Sequence, residues 1–425
     1  MSCFRTAFAA AAFALGVVTP TSAAAPLRLE DAFQRVIESH PDLAIWQRRR
    51  AVLAAEREIA AQPPPVVAQI ALENAPGTGG GSGFRQAEWT LSLASVLERD
   101  DKRRARIVVA ERQFDATAVL EEARRVDLLA EVARRYLDVA VAGAEARLAA
   151  ADVAQRERAL VAATRRVDVG AAPISVRLAA MAAKQRAEGD VERAVHAGIA
   201  ARRRLALLWG ASSDPEFDVV ASDFRDLPSV VAYHELQQRL AQNPELKVFA
   251  HESRIREARL HMAQSARQRE LSWQVGLRRI ETTDDWALMG SVSVPLGTMR
   301  RAEPAIRAAE TELDALSLER DAARLGLEAA LAEAHARIGA AVAEAERQDR
   351  ALLPTLREAE AAAAEAYRRG ALAYLEWAQV QSDTIAAQHQ RLAASVDAHR
   401  ALIEMQRLTG EPLLRAGTPS EEDRP

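Results

Sequence analysis

The sequence is written twice. Ser39-His40-Pro41-Asp42-Leu43 in the first half answers Gln242-Asn243-Pro244-Glu245-Leu246 in the second, and Val169-Gly170-Ala171 answers Arg369-Gly370-Ala371. Arg103-Arg104-Ala105 is matched by Arg300-Arg301-Ala302, and Trp209-Gly210 by Thr409-Gly410. The offset stays near 200 residues, far beyond the period of a solenoid repeat, so this is one duplicated unit. Each copy predicts the same order: helix, strand, loop, strand, very long helix, helix.

The strands carry the functional signal. In the run Leu271-Ser272-Trp273-Gln274-Val275-Gly276-Leu277-Arg278, apolar residues alternate with polar or small ones, and Trp286 to Val294 does the same less strictly. The first copy repeats the pattern, with Ala68, Ile70 and Leu72 on one face and Trp89, Leu91 and Leu93 on another. Period-two alternation gives a sheet one apolar and one polar face. Each segment has about the length a tilted membrane strand requires. Trp89, Trp273 and Trp286 fall near strand ends, where an aromatic girdle would meet a membrane interface. A small soluble sheet with one buried face explains any single segment equally well. Four segments in two matched hairpins favour a membrane sheet.

The helices follow from composition and spacing. Aromatics are 4% of residues and charged residues 27%, with Ala, Arg, Glu and Leu dominant, as in long or coiled-coil helices. From Asp100 to about Val167 there is no proline, and apolar positions recur at three- and four-residue steps, including Ile107, Ala110, Phe114 and Ala118. The matching helix is expected from about Ala305 to Tyr367, kinked at Pro354. Return helices are expected from about Ile174 to Leu208 and from about Leu372 to Leu408, with Gly170 and Gly370 at the reversals. The glycine-rich stretch from Asn74 to Gly83 reads as a flexible loop. A helix of this length spans on the order of 100 Å and must pack against other long helices.

The ends of the chain read differently. Arg5, the apolar run Ala7 to Val18 and the small residues Ser22 to Ala25 have the form of a secretory signal peptide over residues 1–25. The expected organisation is then a first repeat over 26–220, a second over 221–412 and a disordered tail over 413–425. The single cysteine, Cys3, lies inside the signal, so a mature chain would have no disulfide, catalytic thiol or thiolate metal site.

The remaining chemistry is sparse. The net charge of −4 implies no nucleic-acid partner. None of the eight histidines has metal-site spacing; His389 and His399 lie ten apart and can share a helix face. No nucleophile elbow or phosphate loop is present, so neither an enzyme nor a cofactor is expected.

An oligomer is expected on physical grounds. A sheet in lipid cannot leave unpaired N–H and C=O groups at an open edge. Membrane barrels close with at least about eight strands, whereas one chain supplies four segments, so several chains must share one barrel.

The chain resembles the TolC-like outer-membrane efflux factors, and in particular their CzcC-like branch associated with heavy-metal cation efflux. The resemblance spans residues 27–412. It rests on Leu29-Glu30-Asp31-Ala32 followed by His40-Pro41-Asp42-Leu43, and on Val294-Pro295-Leu296-Gly297 entering the second long helix. Tyr367-Arg368-Arg369-Gly370 with Leu375-Glu376 at the second reversal adds to it. It implies a mainly α fold with a small membrane β part: a homotrimer with a twelve-stranded β-barrel in the outer membrane on a long periplasmic α-helical barrel. It further implies an exit duct working with a periplasmic adaptor and an RND-type inner-membrane transporter. The helical tip would then hold the adaptor contact or gate, at Arg166, Asp168, Gly170, Tyr367, Arg368, Arg369, Gly370 and Tyr374.

There are departures. The proline and Gly-Gly pair often found before the family's first long helix are absent from Val96 to Arg103. The family's Arg-x-x-x-Gly at the tip fits Arg166 and Gly170, but the second copy has Ala366 at the arginine position. Two rival readings are the same fold exporting organic drugs or a secreted protein, and a periplasmic coiled-coil adaptor. An adaptor would have one helical hairpin between β-rich domains, and this chain has two hairpins and four clear strands.

Overall fold

The computed structural model describes residues 26–211, 217–220 and 224–413. The expected signal peptide lies outside these residues, as does residue 414 onward of the expected tail.

Each copy opens with a helix pair: α1 (Leu29–Ser39) and α2 (Pro41–Ala61) in the first, α5 (Tyr233–Leu240) and α6 (Pro244–Ser265) in the second. The internal echo around the prolines is a helix start. His40 Nδ1 accepts the Asp42 amide at 3.1 Å, and Asn243 Oδ1 accepts the Glu245 amide at 2.7 Å. In both, proline occupies the first helical position, where its missing N–H leaves no bond unmade, and a carboxylate follows in the positive first turn.

The strands come next: β1 (Val67–Glu73) and β2 (Glu88–Leu97), then β3 (Leu271–Ile280) and β4 (Asp285–Ser293). They form one antiparallel sheet in the order β1-β2-β3-β4, so the two copies meet where β2 pairs with β3. Gly276 is buried at this seam; a Cβ there would lie 2.7 Å from the Leu91 carbonyl oxygen. The glycine-rich loop expected to be flexible is instead closed on itself. Gly77 and Gly83 exchange amide–carbonyl bonds of 3.3 Å, around a turn of 3-10 helix at Gly79–Gly81.

Below the sheet, α3 (Asp100–Asp168) runs unbroken for 69 residues, on the order of 100 Å, and returns as α4 (Ile174–Ala206). The second copy is interrupted. Helix α7 (Thr298–Arg347) begins seven residues before the expected start and runs through Pro304, which forgoes one hydrogen bond without ending the helix. The kink expected at Pro354 is a π-turn over Gln348–Leu352. Helix α8 (Leu353–Arg369) then restarts with proline in its first turn, and α9 (Tyr374–Thr409) returns.

Among the described residues the interior is strung along the helices in three separate clusters. Much of it is alanine, including Ala130, Ala133, Ala159, Ala163 and Ala401, and such small side chains let long helices approach closely. Tyr136 on α3 donates to the Leu27 carbonyl at 2.9 Å, and Leu27 bridges to Val219 of the segment joining the two copies. Leu413, expected to begin the tail, is buried in the same cluster as Leu27.

Candidate functional site

Two places break the ordinary rule of apolar inside and polar outside. The first is the sheet. Its register puts Ile70, Leu91, Leu277 and Leu288 in one row across all four strands, on the same face as Leu93, Val275 and Val292. This face is not covered: Ile70 is 74% and Leu288 78% exposed. The opposite face carries Thr90, Ser92, Gln274 and Arg278, linked across strands. Gln274 donates to Ser92 Oγ at 2.8 Å, and Arg278 Nε to Thr90 Oγ1 at 3.1 Å.

All three expected girdle tryptophans lie on the apolar face. Trp89 and Trp286 share the row Leu72–Trp89–Arg279–Trp286 at the hairpin-turn end of the sheet. Trp273 stands six residues from Arg279 along β3, about 20 Å towards the helices. Arg279 is held in its row by Asp284 at 2.6 Å, with its guanidinium 5.8 Å from the centre of the Trp286 ring.

The second place is the helical tip. Gly170 and Gly370 adopt φ of +74° and +84° and close α3 and α8 with the same bonds. Ala171 N reaches Arg166 O at 2.8 Å, and Ala371 N reaches Ala366 O at 2.9 Å. Arg166 does not project outward from this turn. Its guanidinium crosses to the second hairpin, donating to the Tyr367 carbonyl at 2.9 Å and lying 4.8 Å over the Tyr367 ring. The reason is electrostatic: the last carbonyls of α8 and the face of a phenol ring both attract a cation.

Tyr367 and Tyr374 do not form an outer surface either. Both are buried with Trp377, with Tyr367 and Trp377 stacked at 4.9 Å and Tyr374 edge-on to both. Of the charged residues expected at the tip, Asp168, Arg368 and Arg369 are the exposed ones. Asp168 pairs with Arg177 at 3.5 Å, and both arginines reach Glu365.

Beneath the aromatic trio lies a polar layer that the sequence did not disclose. The Tyr367 and Tyr374 hydroxyls, Trp377 Nε1 and Gln381 Oε1 are buried without a hydrogen-bond partner. Gln155 donates to Glu360, while Arg156 bonds Asp152 at 3.0 Å and Ser382 at 3.2 Å. Burial pushes the Glu360 carboxyl above its ordinary range, opposed by Arg158 and Arg156. Burial likewise raises both phenols, with Arg166 opposing at Tyr367 and Arg156 opposing at Tyr374. Tyr367, Tyr374 and Trp377 at intervals of seven and three across the reversal were the available signal; Glu360 and Gln155 are 205 residues apart and gave none.

Among the described residues, no helix is long and apolar enough to cross a membrane, and no three His, Cys, Asp or Glu side chains come together as a metal site.

Comparison with known proteins agrees with this geometry. Residues 33–211 match the outer membrane efflux protein family. The cobalt-zinc-cadmium resistance protein CzcC of Cupriavidus metallidurans is 25% identical over 322 residues, covering 76% of this chain and 77% of that protein. The crystal structure of CusC, a study of transmembrane channel formation, superposes with a TM-score of 0.74 at 16% identity, covering 90% of this chain and 91% of CusC. The open state of the Neisseria gonorrhoeae MtrE outer membrane channel gives 0.72 at 17% identity, covering 91% and 90%. CusC and MtrE are both described as channels. The family match covers residues 33–211, and along nine-tenths of its length the chain shares the TolC-like fold of these outer membrane channels.

Proposed function

We propose that the chain is the outer-membrane exit duct of a tripartite pump that exports heavy-metal cations. The observation that carries the reading is the two-faced sheet. Its apolar face is bare, and among the described residues its outer strands β1 and β4 have no neighbours on one side. In lipid such a sheet must close, and four strands are too few. Three copies give a twelve-stranded barrel with Ile70, Leu91 and Leu288 against lipid and Gln274 towards the lumen. Trp89 and Trp286 then mark the outer interface, and Trp273 the periplasmic one. The long helices continue the duct into the periplasm, to a tip where Asp168, Arg368 and Arg369 face the adaptor.

Metal as cargo is supported by the likeness to CzcC. The ions are transported rather than held, so no resident metal site is required. Energy comes from an RND-type inner-membrane transporter through the adaptor.

The test has two parts. Outer-membrane protein extracted in detergent should have the mass of three chains; a stable monomer would overturn the duct. Cells lacking the protein should become sensitive to cobalt, zinc or cadmium. Sensitivity to organic drugs alone would keep the duct and overturn the metal assignment.

A further inference from the structure

The polar face of the sheet carries a charge arrangement that the duct reading does not use. At the hairpin-turn end, register places Glu73, Glu88, Ile280 and Asp285 in one row across the four strands. The alternation that sends Trp89, Arg279 and Trp286 to the apolar face sends this row to the other. One step towards the helices, Arg278 stands opposite Thr90. Its guanidinium spans three strands, reaching Glu88 Oε2 at 2.7 Å, Glu73 Oε2 at 3.0 Å and Thr90 Oγ1 at 3.1 Å. Asn74 holds the other oxygen of Glu88 at 3.3 Å.

We propose that Arg278 sets the ion preference of the outer mouth, by partly neutralising a ring of carboxylates that would otherwise make it strongly cation-selective. The inference rests on the duct reading, which turns this face to the lumen. The hairpin turns lie at the end of the sheet away from the helices, so the row is the last charged belt on the strand wall of the lumen before the turns. Each chain places three carboxylates and one guanidinium there, a net of two negative charges repeated around the barrel. Rings of fixed charge bias permeation through the local ion concentration, without any bound ion. The arginine also fixes where the charge sits. Its planar fork takes two carboxylates and a hydroxyl at once, so the side chains lie against the wall instead of across the lumen. A cation exporter gains from this balance: enough negative charge to draw cations through, and not enough to trap divalent ions at the exit.

The experiment reads the ratio of potassium to chloride permeability in planar bilayers, from reversal potentials across a potassium chloride gradient. Low ionic strength keeps screening weak. The wild type should prefer cations. Arg278→Gln should raise the ratio roughly twofold or more. Asp285→Asn leaves the Arg278 bridge intact and should lower it, which keeps the idea testable if the first variant does not assemble. Arg278→Gln combined with Glu88→Gln removes the bridge but restores the net charge, and should return the ratio towards that of the wild type. An unchanged ratio in both single variants overturns the inference. A double variant that keeps the elevated ratio of Arg278→Gln also overturns it, because the arginine would then act through structure and not through charge. Failure of the wild type to conduct at all would be a different result, removing the duct reading itself.

Discussion

The sheet and the tip depart from normal burial in opposite directions. The sheet leaves Ile70, Leu277, Leu288 and Val292 bare, whereas the tip buries two hydroxyls, an indole N–H and an amide oxygen without partners. An exposed apolar face states what will cover it: lipid on the face itself and further strands at its edges. A buried, unpaired polar layer states something else. It is tolerated where packing holds it and relieved by movement or water, and it concentrates where a structure changes state. On the proposed duct reading, the sheet end is completed by neighbouring copies and the tip is the end that opens.

A charge placed on the bare face should have the largest effect. Leu277→Arg lies in the middle row of the apolar face and should cost about 2–4 kcal/mol in each chain if that face meets lipid. The same residue at Gln274, one face over, should be tolerated. Yields of heat-resistant oligomer in the outer-membrane fraction measure the difference. Equal yields would remove the contrast between the two faces.

At the other end, Arg166→Ala should act locally. It removes a charge-assisted bond to the Tyr367 carbonyl and the stacking over its ring, together worth about 1.5 kcal/mol or somewhat more at this partly exposed site. Hydrogen exchange at the α8–α9 reversal should accelerate and resting conductance should rise, while oligomer yield stays unchanged. Unaltered exchange and conductance would make Arg166 an ordinary helix-end residue.

A smaller effect is expected from Glu360. Its folded-state carboxyl lies above the ordinary 4.5, so ionisation works against the packed tip. The stabilising contribution is full below pH 4.5 and is lost as pH rises through the raised native value. Lowering the pH through that window should slow exchange in α8, after correction for the intrinsic rate. Glu360→Gln, which imitates the neutral carboxyl, should flatten the dependence. A pH-independent wild type would show that the Glu360 proton does not bear on the tip.

The two regions were also unequally legible in the sequence. Alternation disclosed the strands and their faces because register is local: once Trp273 and Val275 share a side, Gln274 must take the other. The reversals were equally open, since Gly170 and Gly370 are needed for a positive φ. The start of α7 lies seven residues earlier than expected, because a packed helix runs through Pro304 and forgoes one bond. The inward turn of Arg166 and the pairing of Gln155 with Glu360 were hidden, because their partners lie 201 and 205 residues away. Such contacts exist only once the two copies are laid side by side. What the sequence states is which residues share a face; which faces then meet is a tertiary fact.

The central claim is that the apolar face of the sheet meets lipid and the polar face meets water. Gln274 and Val275 are neighbours on β3, and Cys3, the single cysteine of the sequence, is replaced by serine so that only the introduced thiol is read. Single cysteines at these positions, probed in intact outer membranes with a small water-soluble thiol reagent, test the claim directly. Position 274 should react and position 275 should be protected. Protection at 274 with reaction at 275 would contradict the barrel, and with it the duct.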